Sequence, residues 1–300
     1  MKRRAEPELM DALMDACAPD EVGTRPLTFH KMHGAGNDFV LIDARGTAPA
    51  FDPGQAARIA DRQRGVGCDQ ILVLRESRRT DCLLRYEIWN ADGSPAGQCG
   101  NGARCIGLYL ERNGETGSVP FTLESPAGPV SLQRCADGDY EIDMGTPEFR
   151  PERVPLDLPA ANGGYTLDSP WGRLELGAVS MGNPHALLLV DDIGDARIGE
   201  LGAFIGAHDA FPEGCNAGFA QVVARDRIQL RVVERGAGET LACGSGACAA
   251  VAVLRRAGLV DACVEVVLPG GRLVIKWPGP GKPLRMKGPA VYVFRGTLDG

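Results

Sequence analysis

An α+β fold of two structurally similar domains related by an internal pseudo-repeat, with the active site in the cleft between them, is the class this sequence predicts. Three observations point there. The chain has 300 residues, enough for two domains at roughly 150 residues each. Gly (40 residues) and Pro (21) are abundant while aromatics make up only 6%, which implies many turns and close backbone approaches and argues against an all-helical bundle. Finally, the two halves overlay. Tyr86-Glu87-Ile88-Trp89-Asn90 aligns with Leu230-Arg231-Val232-Val233-Glu234 at an offset of 144, and at the same offset Cys99-Gly100-Asn101-Gly102-Ala103 falls on Cys243-Gly244-Ser245-Gly246-Ala247. Gly67-Cys68-Asp69-Gln70 lies near Gly214-Cys215-Asn216-Ala217 at offset 147, and Asn37 and Asn183 close MHGAGN and MGN 146 residues apart. The order of matches is the same in both halves, so each half is expected to wrap strands around a helix.

The elements follow in order. Residues 1–26 read as an N-terminal extension, with a short amphipathic helix over Pro7–Cys17 broken by Pro19 to Pro26. The first domain is expected over 27–155. Short β-like runs occupy 27–32, 39–43, 70–74 and 83–89, and a helix is predicted over 52–62, with Pro53 early and Ala and Ile on one face. A second helix is predicted over 102–112, closed by Asn113-Gly114. Strands at 118–124, 130–134 and 140–144 come next, and Pro147, Pro151 and Pro155 make an extended, non-helical stretch. The second domain, 156–298, is entered around 158–168. Strands are predicted at 174–180, 185–190, 217–223 and 228–234, and helices at 198–208 and 246–257. Strands at 263–268, 272–277 and 290–294 end the chain, the last of them a candidate to return to the first domain.

Composition excludes several functions. The net charge is −7, and the only dense basic cluster is Lys2-Arg3-Arg4, so a nucleic-acid surface is not expected. No apolar run nears 18 residues, so no membrane span is expected. Charged residues interrupt any signal-peptide core near the N-terminus. The ten cysteines are irregularly spaced and contain no CxxC; free thiols in a reducing compartment fit better than a disulfide scaffold or a zinc site. Gly34-Ala-Gly36 and Gly236-Ala-Gly238 lack the third glycine of a dinucleotide fingerprint, and no P-loop lysine follows. With no lysine in a cofactor context and no ligand cluster, neither pyridoxal phosphate nor a metal is inferred.

The chemistry resides in the paired motifs. Each runs strand, Gly-rich loop, Cys-Gly-x-Gly-Ala, helix. The cysteine precedes a helix start, with Asn101 or Ser245 expected as N-cap. Unsatisfied amides at a helix N-terminus stabilise anions, and a nearby thiol is expected to have its pKa lowered. Gly100 and Gly244 leave those amides open to a ligand carboxylate. One thiol on each side of a cleft suits inversion of a carbon: one removes a proton from one face and the other delivers a proton to the opposite face. The amides would stabilise the enediolate formed between these steps. A cysteine before a helix is also often merely buried, but that reading loses force when two matched motifs share it. Cys105 and Cys248, inside the helices, read as core. Glu234-Arg235 ends a strand and could read an ammonium and a carboxylate, or form a solvated pair. Asn37, Asn90, Asn183 and Asn216 sit in short polar loops where turn formation is the simpler role. His185, after Asn183-Pro184, could act as a base or orient a loop.

KMHGAGNDFV (31–40), NADGSPAGQCGNGARC (90–105), VSMGNPH (179–185), NAGF (216–219), ERGAGETLACGSGACAA (234–250) and LPGG (268–271) together closely resemble the diaminopimelate epimerase family, over about residues 27–298. The resemblance implies cofactor-independent epimerisation of LL- to meso-2,6-diaminopimelate, serving lysine and peptidoglycan synthesis, by a homodimer in the cytoplasm. It implies that Cys99 is the thiolate acting on the LL-substrate and Cys243 its counterpart in the meso direction. It assigns the reacting carboxylate to Gly100-Asn101 and Gly244-Ser245, and further substrate contacts to Asn37, Gln70, Asn90, Asn183 and Asn216. Glu234 and Arg235 match the pair that reads the amino-acid portion of the substrate, with His185 secondary. A same-fold racemase or epimerase of a different amino acid is the alternative. Residues 1–26 and Cys68 depart from the family pattern.

Overall fold

A computed structural model describes residues 26–46, 51–160 and 164–298; the helix expected at Pro7–Cys17 lies outside them. Strands β1 (Leu27–Gly34) and β2 (Asn37–Asp43) form a hairpin. Helix α1 (Pro53–Ala60) crosses to β3 (Gln70–Arg75), which pairs with β4 (Arg85–Asn90). Helix α2 (Gly100–Arg112) leads to β5 (Phe121–Ser125), β6 (Gly128–Arg134) and β7 (Tyr140–Asp143). From β1 to β7, neighbouring strands pair antiparallel, parallel, antiparallel, parallel, antiparallel and antiparallel.

The second half repeats this scheme. After β8 (Tyr165–Ser169) come β9 (Gly172–Ser180), β10 (Pro184–Leu189), helix α3 (Ile198–Gly206), β11 (Asn216–Ala224), β12 (Arg227–Glu234) and the short β13 (Gly238–Thr240). Helix α4 (Gly244–Arg256) precedes β14 (Cys263–Leu268), β15 (Gly271–Lys276) and β16 (Arg285–Gly288). Across β9, β10, β11, β12, β14, β15 and β16 the order of parallel and antiparallel pairing matches that of β1 to β7. Strand β7 pairs with β16, joining the halves, and β17 (Val291–Leu298) pairs with β1. The internal sequence repeat is therefore a topological repeat, as the fold class required.

Burial explains the layering. Helices α2 and α4 share one apolar core with strands of both halves, and Ile106, Leu110 and Val251 are fully buried in it. A fully buried aliphatic side chain of this size contributes about 1.5–3 kcal/mol. Helix α1 packs outside the first half against Val40, Ile42 and Ile71, and α3 packs outside the second against Leu188, Phe219 and Val233. Helix α1 starts where Asp52 and Pro53 require. The Asp52 carboxylate accepts from Gln55 N–H at 2.9 Å and the Gln55 amide oxygen accepts from Asp52 N–H at 3.1 Å, a reciprocal capping box.

Where α2 and α4 begin, Met286 of β16 is wedged between them. A Cβ on Gly100 would lie 2.4 Å from the Met286 methyl, and one on Gly244 would lie 3.1 Å from its sulfur, so these glycines permit the two helix starts to approach. Strands β8, β13 and β16 were not expected from sequence. The last two span three and four residues, too short to show a period. The proline stretch holds a 3₁₀ turn at Pro151–Arg153 instead of staying extended throughout, since Pro151 at its first position has a φ suited to starting a helical turn.

Candidate active site

Each cysteine is the N-cap of its helix. Cys99 and Cys243 both have extended backbone, and each sulfur accepts the amide three residues on, Gly102 N–H and Gly246 N–H, at 3.4 Å. This corrects the expectation that Asn101 and Ser245 are the caps. The helices start two residues earlier because the thiol sulfur takes the place of a capping oxygen. Asn101 is thereby released from capping. Its amide donates to the Asn37 side-chain oxygen and to the Ala242 carbonyl, both at 3.1 Å. The second bond runs from the first half to the residue preceding Cys243. Ser245 Oγ lies 3.6 Å from Cys243 Sγ.

The thiols are not acidified. Burial pushes Cys99 up to about 11 and Cys243 well above the ordinary thiol range. The Glu234 carboxylate adds to the rise in both, while the Gly102 and Gly246 amides pull in the opposite direction. The sequence expectation named the amide effect correctly and missed the larger one. Cys243 is only 4% exposed, and a buried thiolate loses more hydration than one amide restores. Both cysteines feel Glu234, which stands on β12 and accepts from Thr240 Oγ1 at 2.5 Å.

On the first side, Cys99 Sγ lies 3.7 Å from Asn37 Oδ1, and Asn37 Nδ2 donates to Asp69 at 2.9 Å. Asp69 also accepts from Arg62, which bridges to Asp38. Lys31 donates to Asp38 as well, and these two cations hold the Asp38 carboxyl down at about 2 against the opposing effect of burial. The network fixes which way the Asn37 amide faces, with its oxygen toward the thiol. Gln70 Nε2 donates to Asn90 Oδ1 at 2.8 Å across β3 and β4, and Asn90 Nδ2 donates to Ser94. Among the described residues, the hydrogen bonds around Cys99 do not extend to this pair.

On the second side, His185 is 2% exposed and stands opposite Asn216 in the β10–β11 register. Its Nε2 lies 3.0 Å from Asn183 Oδ1, an acceptor, so that nitrogen carries the proton. Burial brings its pKa down to about 3, leaving a neutral imidazole at pH 7. Asn216 Oδ1 accepts from Arg235 N–H at 2.9 Å, and the Arg235 guanidinium donates to the Glu213 carbonyl while remaining exposed. Asp69, Arg62, Asp38 and Thr240, which orient these groups, were not singled out by sequence reasoning. The only signal for Asp69 was its place in the repeated Gly67–Gln70 turn.

Known proteins resemble this chain over most of its length. A family model described as diaminopimelate epimerase matches residues 29–150 and 177–293, one segment in each half. The chain is 50% identical over 277 residues to diaminopimelate epimerase of Xylella fastidiosa (strain 9a5c), covering 92% of this chain and 97% of that one. It is 48% identical over 280 residues to diaminopimelate epimerase of Xanthomonas campestris pv. campestris, covering 93% and 99%. A solved hydroxyproline epimerase from Agrobacterium vitis superposes with a TM-score of 0.69 at 17% identity, over 92% of this chain and 94% of that one. This last likeness shows a common fold.

Proposed function

The chain belongs to the diaminopimelate epimerase family, and on that premise we propose that Cys99 and Cys243 are the paired acid and base of a cofactor-independent epimerisation of LL- to meso-2,6-diaminopimelate. One observation carries the assignment of the two thiols: each caps one of two pseudo-symmetric helices whose starts are tied together by the Asn101–Ala242 hydrogen bond.

The reaction runs in two proton transfers. The Cys99 thiolate takes the α-proton from the LL-substrate and becomes a thiol. The electron pair left on carbon delocalises into the α-carboxylate, which lies against the helix-start amides at Gly100-Asn101 and Gly244-Ser245. The Cys243 thiol then gives its proton to the opposite face and becomes the thiolate. The reverse reaction exchanges the roles. Substrate also serves to activate the thiols: an ammonium group paired with Glu234 cancels the carboxylate charge that now disfavours both thiolates. Asn37, Gln70, Asn90, Asn183 and Asn216 supply amide contacts to the substrate, Arg235 takes a carboxylate, and neutral His185 keeps Asn183 oriented. A site with this many polar groups penalises substrates that leave them unpaired.

The test is chiral separation of diaminopimelate isomers after incubation of reduced protein with the LL isomer and no added cofactor. The expected outcome is meso product up to equilibrium, with lysine, ornithine and proline converted at least about 100-fold more slowly. Conversion of another amino acid at a comparable or higher rate would make the chain a same-fold racemase of different specificity.

We further propose a homodimer in the cytoplasm. Among the described residues β17 pairs only with β1, and it exposes Val291, Val293 and Phe294 at 40%, 51% and 46%. A free strand edge bearing apolar side chains favours pairing with a second copy. Among the described residues no helix is long and apolar enough to cross a membrane. Sedimentation equilibrium is expected to give the dimer mass for the parent and the monomer mass for a Val293→Asp/Phe294→Glu variant. A monomeric parent would contradict the pairing.

A further inference from the structure

The two cysteine motifs are not equivalent, and a single buried side chain separates them. At the 144-residue offset that relates the motifs, Arg104 of α2 falls on Cys248 of α4. One helix therefore carries a guanidinium where the other carries a thiol. Arg104 is 0% exposed. Its Nε donates to the Pro289 carbonyl at 3.1 Å, its Nη2 donates to Asn101 Oδ1 at 2.8 Å, and its Nη1 lies 3.8 Å from the Met286 sulfur. Its guanidinium fits against Gly34 and Gly288, where added Cβ atoms would lie 3.1 and 3.3 Å from it. Among the described residues it forms no ion pair, and the Asp139 carboxylate acts on it only from a distance. Burying a cation without a carboxylate is costly, and guanidinium does not escape that cost by deprotonating at neutral pH.

We propose that Arg104 is a positioning residue that makes Cys99 the more readily ionised of the two thiols and locks the Asn101 amide into its bridge between the halves. Both effects follow from its contacts. By donating to Asn101 Oδ1 it forces Asn101 Nδ2 toward Asn37 and Ala242. Its guanidinium donates to Asn101, two residues beyond Cys99, and its charge favours the Cys99 thiolate. The titratable groups around Cys99 are Glu234 from β12, Tyr86 from β4, and Arg104 and Cys105 from α2, and Arg104 is the cation among them. Cys243 is influenced by Glu234 and Ser245, with a thiol in place of the guanidinium on its own helix. The cation beneath the α2 start thus has its missing anion in the Cys99 thiolate or in the carboxylate bound at the same helix start. This role rests on the two-thiol reading above.

The experiment is iodoacetamide alkylation of the full-length protein across pH, with Cys99 and Cys243 followed separately by peptide mass spectrometry. In the parent protein, the half-ionisation pH of Cys99 is expected below that of Cys243. In Arg104→Gln, which keeps a donor to Asn101 without the charge, Cys99 alkylation at a fixed pH is expected to fall about tenfold, and Cys243 to change less than about twofold. Arg104→Lys, which keeps the charge and loses the fork, is expected to restore the Cys99 profile while raising KM. A parent in which Cys243 ionises first, or an Arg104→Gln that shifts both thiols equally or neither, would overturn the role. The parent measurement stands even where Arg104→Gln does not fold. Because alkylation needs no turnover, a failure here is distinct from a failure to epimerise, which would remove the two-thiol reading itself.

Discussion

Replacing Cys99 or Cys243 by serine is expected to abolish epimerisation, with kcat falling at least about 10³-fold, while leaving the fold intact. The two outcomes separate because each cysteine has two roles. As N-cap it accepts a helix amide, and a serine oxygen does this at least as well. As acid or base it must take or give a proton near the α-carbon, and an alcohol, ionising many units higher than a thiol, does so poorly. Alanine variants are expected to lose the same activity and, in addition, about 1 kcal/mol of stability with the cap. The checks are thermal unfolding beside a chiral activity assay. Serine variants that retain activity would reduce both cysteines to capping residues.

Glu234→Gln is expected to move two readouts in opposite directions. The carboxylate disfavours both thiolates, so removing its charge lowers both thiol pKa values and speeds alkylation at a given pH. Removing it also deprives the substrate ammonium of its charged partner, and kcat/KM is expected to fall about 10- to 100-fold. In the parent protein Cys99 alkylation should climb with pH through the alkaline range toward about 11, and in the variant the same rise should come earlier. A variant that loses activity with an unchanged alkylation profile would show that Glu234 does not act on the thiols.

The paired motifs were legible because each is contiguous: cysteine, two glycines and a helix stand together in the chain, and their repeat at an offset of 144 exposed the twofold architecture. The short strands β13 and β16 carry too few residues to show a pattern and exist because longer neighbours offer them an edge. The caps were assigned to Asn101 and Ser245 because those residue types usually cap helices, whereas here sulfur does. The thiol shift was expected downward because helix amides are local in sequence, and the burial that outweighs them is not. Asp69 lies 32 residues from Asn37, Arg62 seven from Asp69 and Arg104 three from Asn101 along the chain, and nothing in their local sequence marks which partner they touch.

The most direct test of the two-thiol mechanism is turnover of LL-diaminopimelate in D2O, followed by NMR at the α-carbon with isomers separated. Thiols exchange with solvent before they donate, and the thiol that receives the substrate proton is not the one that delivers. The meso product should therefore carry deuterium at the inverted carbon from the first turnovers, while the remaining LL-substrate stays protiated early on. A meso product that retains the substrate's own hydrogen would mean one base acting on both faces, and would contradict paired roles for Cys99 and Cys243.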